Sequence, residues 1–567
     1  MKQLKYFVTS AFLLGSFLFV NAQTTEDTTI IKRDVTIEKD YVPIIKDAGK
    51  VNEIPSVVDP EIKQIVVNYS PFSTLMDPKY EIRQLEAARL KTPPFPPRKD
   101  GFLRLGIGNS WATLGDFMYP ILNKPTHRLD INLSHDGILK NKIHHENKGG
   151  FTFRKYKETG EFSFDANYEY EGFNYYGNNP LDSSATYIYP IGTSFLGKNF
   201  IPEMAGISKW NVSLGYKTIP LENDYNLLTK IDYKGFAPDQ GLTEQLINTR
   251  VYYDKKIDEN IAGIDVQLKN LIYNSSKINH AFGQENYSVF KVNPYFAFKQ
   301  EKWYLKLGAK TFFSKDSEGK GFVPTADIEG QATLIDKSIY AYCGITGDYQ
   351  ANSMNYLESV NHYMNLNLKI KDSYTPFDAY GGFKLKLLYN FLIDMSVRYK
   401  TIKNQHFFVN NTLINTTTAS PEFANTFGAD YQDVNLLNTG IRINYNYNQV
   451  FSFIMAWKYN SWKLPDGTEA WQLPKNEFDF GTDMKLTKRT TVNLYSYVAT
   501  GRKAMAIDGS STDMKSIVDI NLGFLYAHSS KVSSFLKLNN LLNSHYENWN
   551  GYEVIGFNAL LGLAFSF

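Results

Sequence analysis

The sequence has a single cysteine, Cys343, and almost no excess of charge of either sign. A lone cysteine excludes an intramolecular disulfide, so we expect Cys343 to be a small residue of a strand wall. A net charge of +2 excludes the global basic field that attracts nucleic acid. Beyond the N-terminus there is no apolar run of the ~20 residues that a membrane helix requires. A membrane-embedded form of this chain would therefore be a closed barrel, because other folds leave backbone groups unpaired in hydrocarbon.

Aromatic residues, by contrast, are abundant. Tyr and Phe number 39 each and aromatics make up 15% of the chain, yet the mean hydropathy is only −0.34. Strands of a membrane barrel alternate apolar and polar residues, which cancel in such an average. The composition is typical of an outer-membrane β-barrel.

The first 22 residues have the features of a secretory signal peptide. Lys2 and Lys5 precede an apolar stretch over residues 7–20, and Val20-Asn21-Ala22 resembles a cleavage site. The apolar stretch is too short to span a bilayer. We expect export with cleavage before Gln23, and no lipid anchor, because no cysteine follows the cleavage site.

Residues 23–100 differ in texture from the rest and are expected to form a periplasmic N-terminal extension. The run 34–38 alternates and could add as a strand to a partner's sheet edge. Residues 81–91 favour a short helix. The Pro-rich stretch 93–97 ends this helix and forms a stiff spacer before the first strand. This segment favours a periplasmic or surface lipoprotein as a partner.

From residue 101 onward the hydrophobic period is two. The final stretch shows it most clearly, since Ile555, Phe557, Ala559, Leu561, Leu563, Phe565 and Phe567 share one parity and smaller or more polar residues mostly fill the other. Similar alternation covers 364–370, 441–448, 451–459, 477–486 and 517–526. A soluble β-sandwich also alternates, but strands of about ten residues match a tilted bilayer crossing better. The fold class predicted for residues 101–567 is all-β, a transmembrane antiparallel β-barrel of about 16 to 22 strands, with long loops at 174–208 and 403–433.

Several basic residues fall on the parity that should face the lumen. They are Lys306, Lys310, Lys369, Lys371, Lys384, Lys386 and Arg442. Asp265, Asp479, Asp483 and Asp519 occupy the wall elsewhere. Two interpretations stay open. The basic residues could form a patch that attracts an anionic solute, or they could be part of an ordinary water-exposed lumen wall whose positive and negative charges pair across strands.

Signatures of enzymes and cofactors are missing from the sequence patterns. There is no phosphate-binding Gly-Lys loop and no calcium loop. His144-His145-Glu146 is a possible metal trio, but consecutive side chains on an extended strand point in opposite directions. We interpret it as a polar loop cluster, and expect no enzyme activity, resident metal or cofactor.

Residues 537–567 resemble the C-terminal end of TonB-dependent receptors. The shared positions are Asn540, Leu541, Leu542, Asn543, Tyr546, Trp549, Gly551, Tyr552, Gly556, Gly562 and Phe567. Gln23 after the signal peptide and the richness in Asn, Tyr and Lys also resemble outer-membrane proteins of the Bacteroidota. The resemblance implies that Phe557, Leu561, Leu563, Phe565 and Phe567 form the terminal signal read by the barrel-assembly machinery.

The same family carries a folded plug before its barrel, longer than residues 23–100. We therefore expect a related barrel without a recognisable plug, whose lumen another chain or its own loops and leader fill. Two functions follow. One is a pore or transport component for a solute, with a partner lipoprotein. The alternative is a non-transporting accessory or structural subunit of an outer-membrane assembly or secretion complex.

Overall fold

The structure, a computed structural model, describes residues 101–567 except 178–203, 220–224, 240, 275–283, 316–320, 367, 389, 412–425, 448–449, 466 and 507–508. The expected signal peptide and N-terminal extension lie outside the described residues. Their boundaries therefore stay predictions.

The described residues form a 22-stranded antiparallel sheet that closes on itself. Each strand pairs with the next in the chain, and the last strand pairs with the first, Leu103 opposite Phe565 and Ile107 opposite Leu561. The all-β barrel prediction is confirmed, at the upper end of its strand range. The barrel strands are β1 (Phe102–Gly108), β2 (Ala112–Lys124), β3 (His127–Ile138), β4 (His144–Lys157), β5 (Gly160–Phe173), β6 (Ala205–Thr218), β7 (Tyr225–Pro238), β8 (Thr243–Ile257), β9 (Asn260–Asn274), β10 (Tyr287–Lys299), β11 (Trp303–Ser314), β12 (Val323–Ile335), β13 (Ile339–Gln350), β14 (Ser373–Leu388), β15 (Phe391–Asn410), β16 (Phe427–Tyr447), β17 (Phe451–Lys463), β18 (Asn476–Lys485), β19 (Thr490–Thr500), β22 (Ile517–Ala527), β23 (Val532–Asn539) and β26 (Asn558–Ser566).

Shorter elements lie in the connections. Two small hairpins pair β20 (Lys503–Met505) with β21 (Ser511–Asp513) and β24 (Glu547–Trp549) with β25 (Tyr552–Glu553). A 3-10 turn spans Asn109–Trp111, and the helix α1 spans Met354–Val360. Within the described residues, no helix is both long and apolar enough to cross a membrane.

The two ends of the barrel differ in their connections. At the end that holds residue 101 and Phe567, adjacent strands are joined by short turns, such as those after Lys157 and Ile257. At the other end the connections are long and include residues 351–372 and 540–557. Outer-membrane barrels place short turns in the periplasm and long loops outside the cell. The long-loop end is therefore the extracellular mouth.

Alternation along the strands separates a lipid-facing surface from the lumen. In β26, Leu561 and Leu563 are exposed on the outer surface while Leu560 and Ala564 are buried. This confirms the parity predicted for the terminal strand. Cys343 lies on β13 with its side chain exposed, as expected of a small wall residue.

Several sequence-based boundaries were wrong. The described residues of 364–370 form no strand, and apart from a single bridge at Met364 they belong to an irregular loop. Lys369 and Lys371 are therefore not wall residues. The expected loop at 403–433 is shorter, because β15 continues to Asn410 and β16 begins at Phe427, and β6 begins at Ala205, inside the loop expected at 174–208. The stretch 552–567 is not one strand, since β26 begins only at Asn558.

Candidate functional site

The candidate site is the extracellular mouth of the barrel, where the connection between β13 and β14 folds into the lumen. Residues 351–372 make up this connection, here called the inner loop. Its two ends are tied together at the wall, since the side-chain amide of Asn352 donates to Lys371 O (2.7 Å) and its backbone N–H donates to Asp372 (2.9 Å). Tyr287 of β10 and Tyr349 of β13 also donate to the Asp372 carboxylate, at 2.7 and 2.8 Å. The base of the inner loop is thus fixed to the wall.

From this base the helix α1 begins with a local signal. Ser353 is its N-cap, and the hydroxyl accepts a hydrogen bond from Tyr356 N. Glu244 on β8 accepts a further bond from Met354 N at 2.6 Å. The first N–H groups of a helix have no partner within the helix, and the buried carboxylate of Glu244 supplies one for Met354 from the wall. The start of α1 is therefore anchored to the wall as well as capped.

The inner loop spans the lumen. It begins at the end of β13, yet His362 contacts Glu171 on β5, which is eight strands away around the barrel. In a ring of 22 strands the diametrically opposite strand is eleven strands away, so β5 lies on the far side of the barrel. In the other direction, Met364 pairs with Phe427 at the start of β16. Contacts with both arcs of the wall place this segment across the mouth rather than above it.

An apolar cluster fills the mouth around the inner loop. Met354, Leu357 and Met364 are completely buried, together with Phe173 at the end of β5 and Phe427. These side chains are therefore shielded from solvent although they lie inside the barrel. The mouth is packed like the core of a soluble domain.

The last extracellular loop completes this cluster. Tyr552 stacks on Tyr363 of the inner loop with ring centroids 3.6 Å apart and planes at 18°. Tyr176, which follows β5, meets both rings edge-on at 5.8 and 5.1 Å. Such aromatic contacts contribute about 0.5–1.5 kcal/mol each beyond the burial of area. The two loops therefore stabilise each other across the mouth.

A buried group of charges ties the inner loop to the far wall. Lys209 on β6 lies 2.6 Å from Glu171 and 2.8 Å from Glu358 of α1. Glu358 is fully buried and the Glu171 side chain is 2% exposed. His362 Nδ1 lies 2.8 Å from Glu358 and 2.9 Å from Glu171. We call Lys209, Glu171, Glu358, His362 and the nearby His144 the latch cluster.

His362 is the titratable member of the latch cluster that the inner loop brings to the wall. Burial alone would lower the pKa of its imidazole, but hydrogen bonds and charge attraction from Glu171 and Glu358 raise that pKa to about 10. The Nδ1–H of the ring donates to Glu358 and lies at ion-pair distance from Glu171. Breaking either contact would leave a buried carboxylate short of a partner.

Sequence reasoning missed most of the latch cluster. His144 was singled out, but with the wrong companions. The trio 144–146 opens β4 rather than lying in a loop, and His145 points away from His144 as strand geometry requires. Glu171 and His362 carry no local signal, because only the inward path of the inner loop brings them to His144.

The predicted basic patch is a charge-balanced wall. Lys306 and Lys310 both contact Asp327, at 2.6 and 2.9 Å. Lys384 and Arg442 each stand opposite Asp394 in the strand register. Lys386 lies on the same luminal face of β14, so of the seven residues only Lys369 and Lys371 are displaced, into the inner loop. A role for these residues in binding a solute stays a prediction.

Below the mouth, the lumen keeps a polar cavity. A volume of about 420 Å³ is lined by Lys310, Asp327, Tyr342, Thr346, Tyr380, Ser396, Val397, Arg398 and Asn438. Arg398 donates to Asp378 at 2.6 Å. Tyr342 donates to Asp394 at 2.7 Å. The cavity therefore presents hydrogen-bond donors and acceptors and charges of both signs.

The residues of the expected assembly signal lie on the outer surface around the closing strand. Leu561, Leu563 and Phe567 are about half exposed, and Phe557 is 42% exposed just before the strand begins. Phe565 is partly covered. Phe567 also stacks against Tyr119 of β2, with centroids 6.1 Å apart. Their recognition during insertion stays a prediction.

A closed antiparallel barrel, apolar outside and polar within, with short turns at one end and long loops at the other, is an integral protein of the outer membrane. No family model matches the sequence, and neither does any curated protein.

Solved structures match the fold. A point mutant of the ferric enterobactin receptor PfeA of Pseudomonas aeruginosa superposes with a TM-score of 0.59 at 9% identity, over 82% of this chain and 80% of the receptor. The pyoverdine outer-membrane receptor FpvA of the same organism gives 0.59 at 11% identity, over 83% and 79%. FpvAI in its complex with pyocin S2 gives 0.61 at 11%, over 83% and 70%. The fold is that of these outer-membrane receptors, and at this identity the likeness concerns the fold alone.

Proposed function

We propose that this protein is an outer-membrane transport component for a polar solute, closed at rest by its inner loop. The observation that carries the proposal is the inner loop crossing a polar, charge-lined lumen and packing into an apolar seal at the extracellular mouth. A barrel of 22 strands is wide enough to need an obstruction if it is not to leak. In this account residues 351–372 supply that obstruction on the outer side, and opening requires their displacement.

The similar solved structures support a transport function without specifying the solute. PfeA and FpvA are receptors for ferric enterobactin and pyoverdine. The cavity below the seal offers Lys310 and Arg398 beside Asp327, so it presents both signs of charge. A solute that carries both donors and acceptors fits this wall better than a simple anion does.

The test is solute entry into proteoliposomes. We compare the full chain with a variant in which residues 354–364 are replaced by a Gly-Ser linker of equal length. The full chain should exclude small sugars, and the variant should admit them up to a sharp size limit. Heat-modifiable migration on a gel verifies that both barrels are folded. A folded variant that excludes even the smallest sugar would contradict a transport route through this lumen.

A second function is favoured by the same closure. A barrel sealed by its own loop also suits a non-transporting accessory subunit of an outer-membrane assembly or secretion complex. In that case the N-terminal extension would dock a periplasmic or surface lipoprotein. Deleting residues 24–97 should then leave barrel folding intact and abolish fixed-ratio co-purification with the partner. Unchanged partner recovery would rule out docking through this segment.

We also propose that the outward residues Phe557, Leu561, Leu563, Phe565 and Phe567 are read by the barrel-assembly machinery. Their exposure on the outer surface supports this role. Phe567→Ala should slow insertion while the final barrel keeps its heat-modifiable migration. The control is Leu542→Ala, since Leu542 is equally exposed, at 56%, but lies in the last extracellular loop.

A further inference from the structure

The latch cluster contains a constellation of metal-ligand type. His144 Nε2 and His362 Nδ1 lie 3.0 and 2.9 Å from the same oxygen, Oε1 of Glu171, and the three atoms all lie within 4.8 Å of one another. The first comes from β4, the second from the inner loop and the third from β5. In a tetrahedral zinc site with bonds of about 2.1 Å, ligand atoms are about 3.4 Å apart. The three atoms therefore need only small shifts to surround one ion.

Glu358 stands beside the trio. Glu358 Oε1 lies 2.8 Å from His362 Nδ1. The other oxygen, Oε2, is buried and lies 2.8 Å from Lys209 Nζ, which balances its charge. Glu358 therefore positions the imidazole of His362 from outside the ligand set.

Charge around the cluster points the same way. The carboxylates of Glu146, Glu169, Glu171 and Glu358 converge here, whereas the fixed positive charges are those of Lys148 and Lys209. The four carboxylates exceed the two lysines by two negative charges before either imidazole is counted. One divalent cation balances them. Buried ions without such balance are strongly disfavoured.

We propose that His144, Glu171 and His362 bind a divalent transition metal of the zinc class. Two imidazoles and one carboxylate are a ligand set for zinc or a neighbouring transition metal rather than for calcium or magnesium, which take oxygen ligands. Binding replaces the proton on His362 Nδ1 with the metal, and that proton leaves to solvent. Lys209 holds Glu171 and, by its charge, Glu358 from outside the ligand set.

The position of this site gives the metal a mechanical role. Two ligands, His144 and Glu171, belong to the wall and one, His362, belongs to the inner loop, which begins at β13 far around the ring. A bound ion would pin the inner loop to the opposite wall and hold the mouth closed. The site depends only on the closed arrangement of the loop, so it stands whether or not the barrel carries a solute.

The test uses the untagged full chain in detergent, stripped of metal with a chelator and titrated with Zn²⁺ by calorimetry and with Co²⁺ by visible absorption. We expect one ion per chain and the intense visible bands of tetrahedral Co²⁺. His144→Ala and His362→Gln should each weaken Zn²⁺ binding by about 100-fold or more. The second variant keeps a hydrogen-bond donor toward the carboxylates, so it separates metal binding from simple loss of the loop contact.

The matched control is His135→Ala. His135 lies on the neighbouring strand β3, where it pairs with Thr113 and Asn147 on the outer surface, and its loss should leave Zn²⁺ affinity unchanged. As a second readout, Zn²⁺ should slow hydrogen exchange in residues 351–366 of the full chain but not of His362→Gln. Two results would overturn the proposal. One is the absence of stoichiometric Zn²⁺ binding by the folded full chain, and the other is equal binding by both ligand variants.

Discussion

The mouth of this barrel and the wall below it differ in chemistry: the mouth is apolar and packed, whereas the wall is polar and charged. At the mouth, Leu357, Met364 and Phe427 are completely buried and exclude water. On the wall below, Lys306, Lys310 and Asp327 face a polar cavity and balance one another. The difference teaches that the apolar core inside this barrel is built by loops, whereas the strands supply a polar, charged wall.

The largest effect should come from the buried face of α1. Leu357→Ala removes a fully buried side chain and should weaken docking of the inner loop by about 2–5 kcal/mol. Hydrogen exchange of residues 351–366 in the folded barrel should accelerate accordingly. Val360→Ala on the same helix is the control, because Val360 is 39% exposed. Equal exchange in the two variants would mean that the mouth is not packed as a core.

The wall offers a comparison between its two faces. Leu437→Arg places a charge on the lipid side of β16, where Leu437 is 39% exposed, and should destabilise the barrel by about 2–4 kcal/mol. Its neighbour Asn438 lines the cavity, where an arginine stays hydrated, so Asn438→Arg should have a smaller effect. Urea unfolding from lipid vesicles, followed by tryptophan fluorescence, measures both. The reverse order would mean that the two faces are assigned wrongly.

The aromatic contact at the mouth should contribute less. Tyr363→Leu loses the stack on Tyr552 and should weaken docking by about 0.5–1.5 kcal/mol beyond the loss of buried area. Limited proteolysis of the inner loop provides the measurement. Tyr363→Phe keeps the ring and should behave like the parent chain. Cleavage of Tyr363→Phe as rapid as that of Tyr363→Leu would assign the effect to the hydroxyl instead.

The smallest effect is expected for single ion pairs of the wall. Lys306→Gln removes one of two lysines that contact Asp327, and the partly hydrated pair contributes about 0–1 kcal/mol. Urea unfolding should barely change. Lys302→Gln, at an exposed turn pair 3.8 Å from Asp336, is the control and should have no effect. A large loss for Lys306 alone would show that the wall is held by a cooperative network.

This contrast also explains which features could be predicted from sequence. Alternation assigns Leu561 and Leu563 to lipid correctly, because a strand has only two faces and one of them meets hydrocarbon. The same rule failed for residues 364–370, whose alternation is that of a loop with apolar side chains in the seal and polar ones beside it. Alternation in sequence shows that successive side chains lie in apolar and polar environments in turn, but it does not show whether the backbone is a strand or a loop.

The latch cluster could not be predicted from local sequence patterns for a related reason. Glu171, Lys209 and His362 are distant in sequence, and each has an ordinary neighbourhood. Their meeting depends on a loop that turns into the lumen instead of outward and buries Leu357 and Met354 in the apolar cluster. The wall was predictable strand by strand, whereas the mouth is a product of tertiary contacts.

Single-channel recording in planar bilayers tests the central claim most directly. The full chain should stay silent or open only in brief bursts, because the inner loop seals the mouth. The variant with residues 354–364 replaced by Gly-Ser should conduct in large, steady steps. Steady conductance of the full chain, equal to that of the variant, would contradict closure by the inner loop.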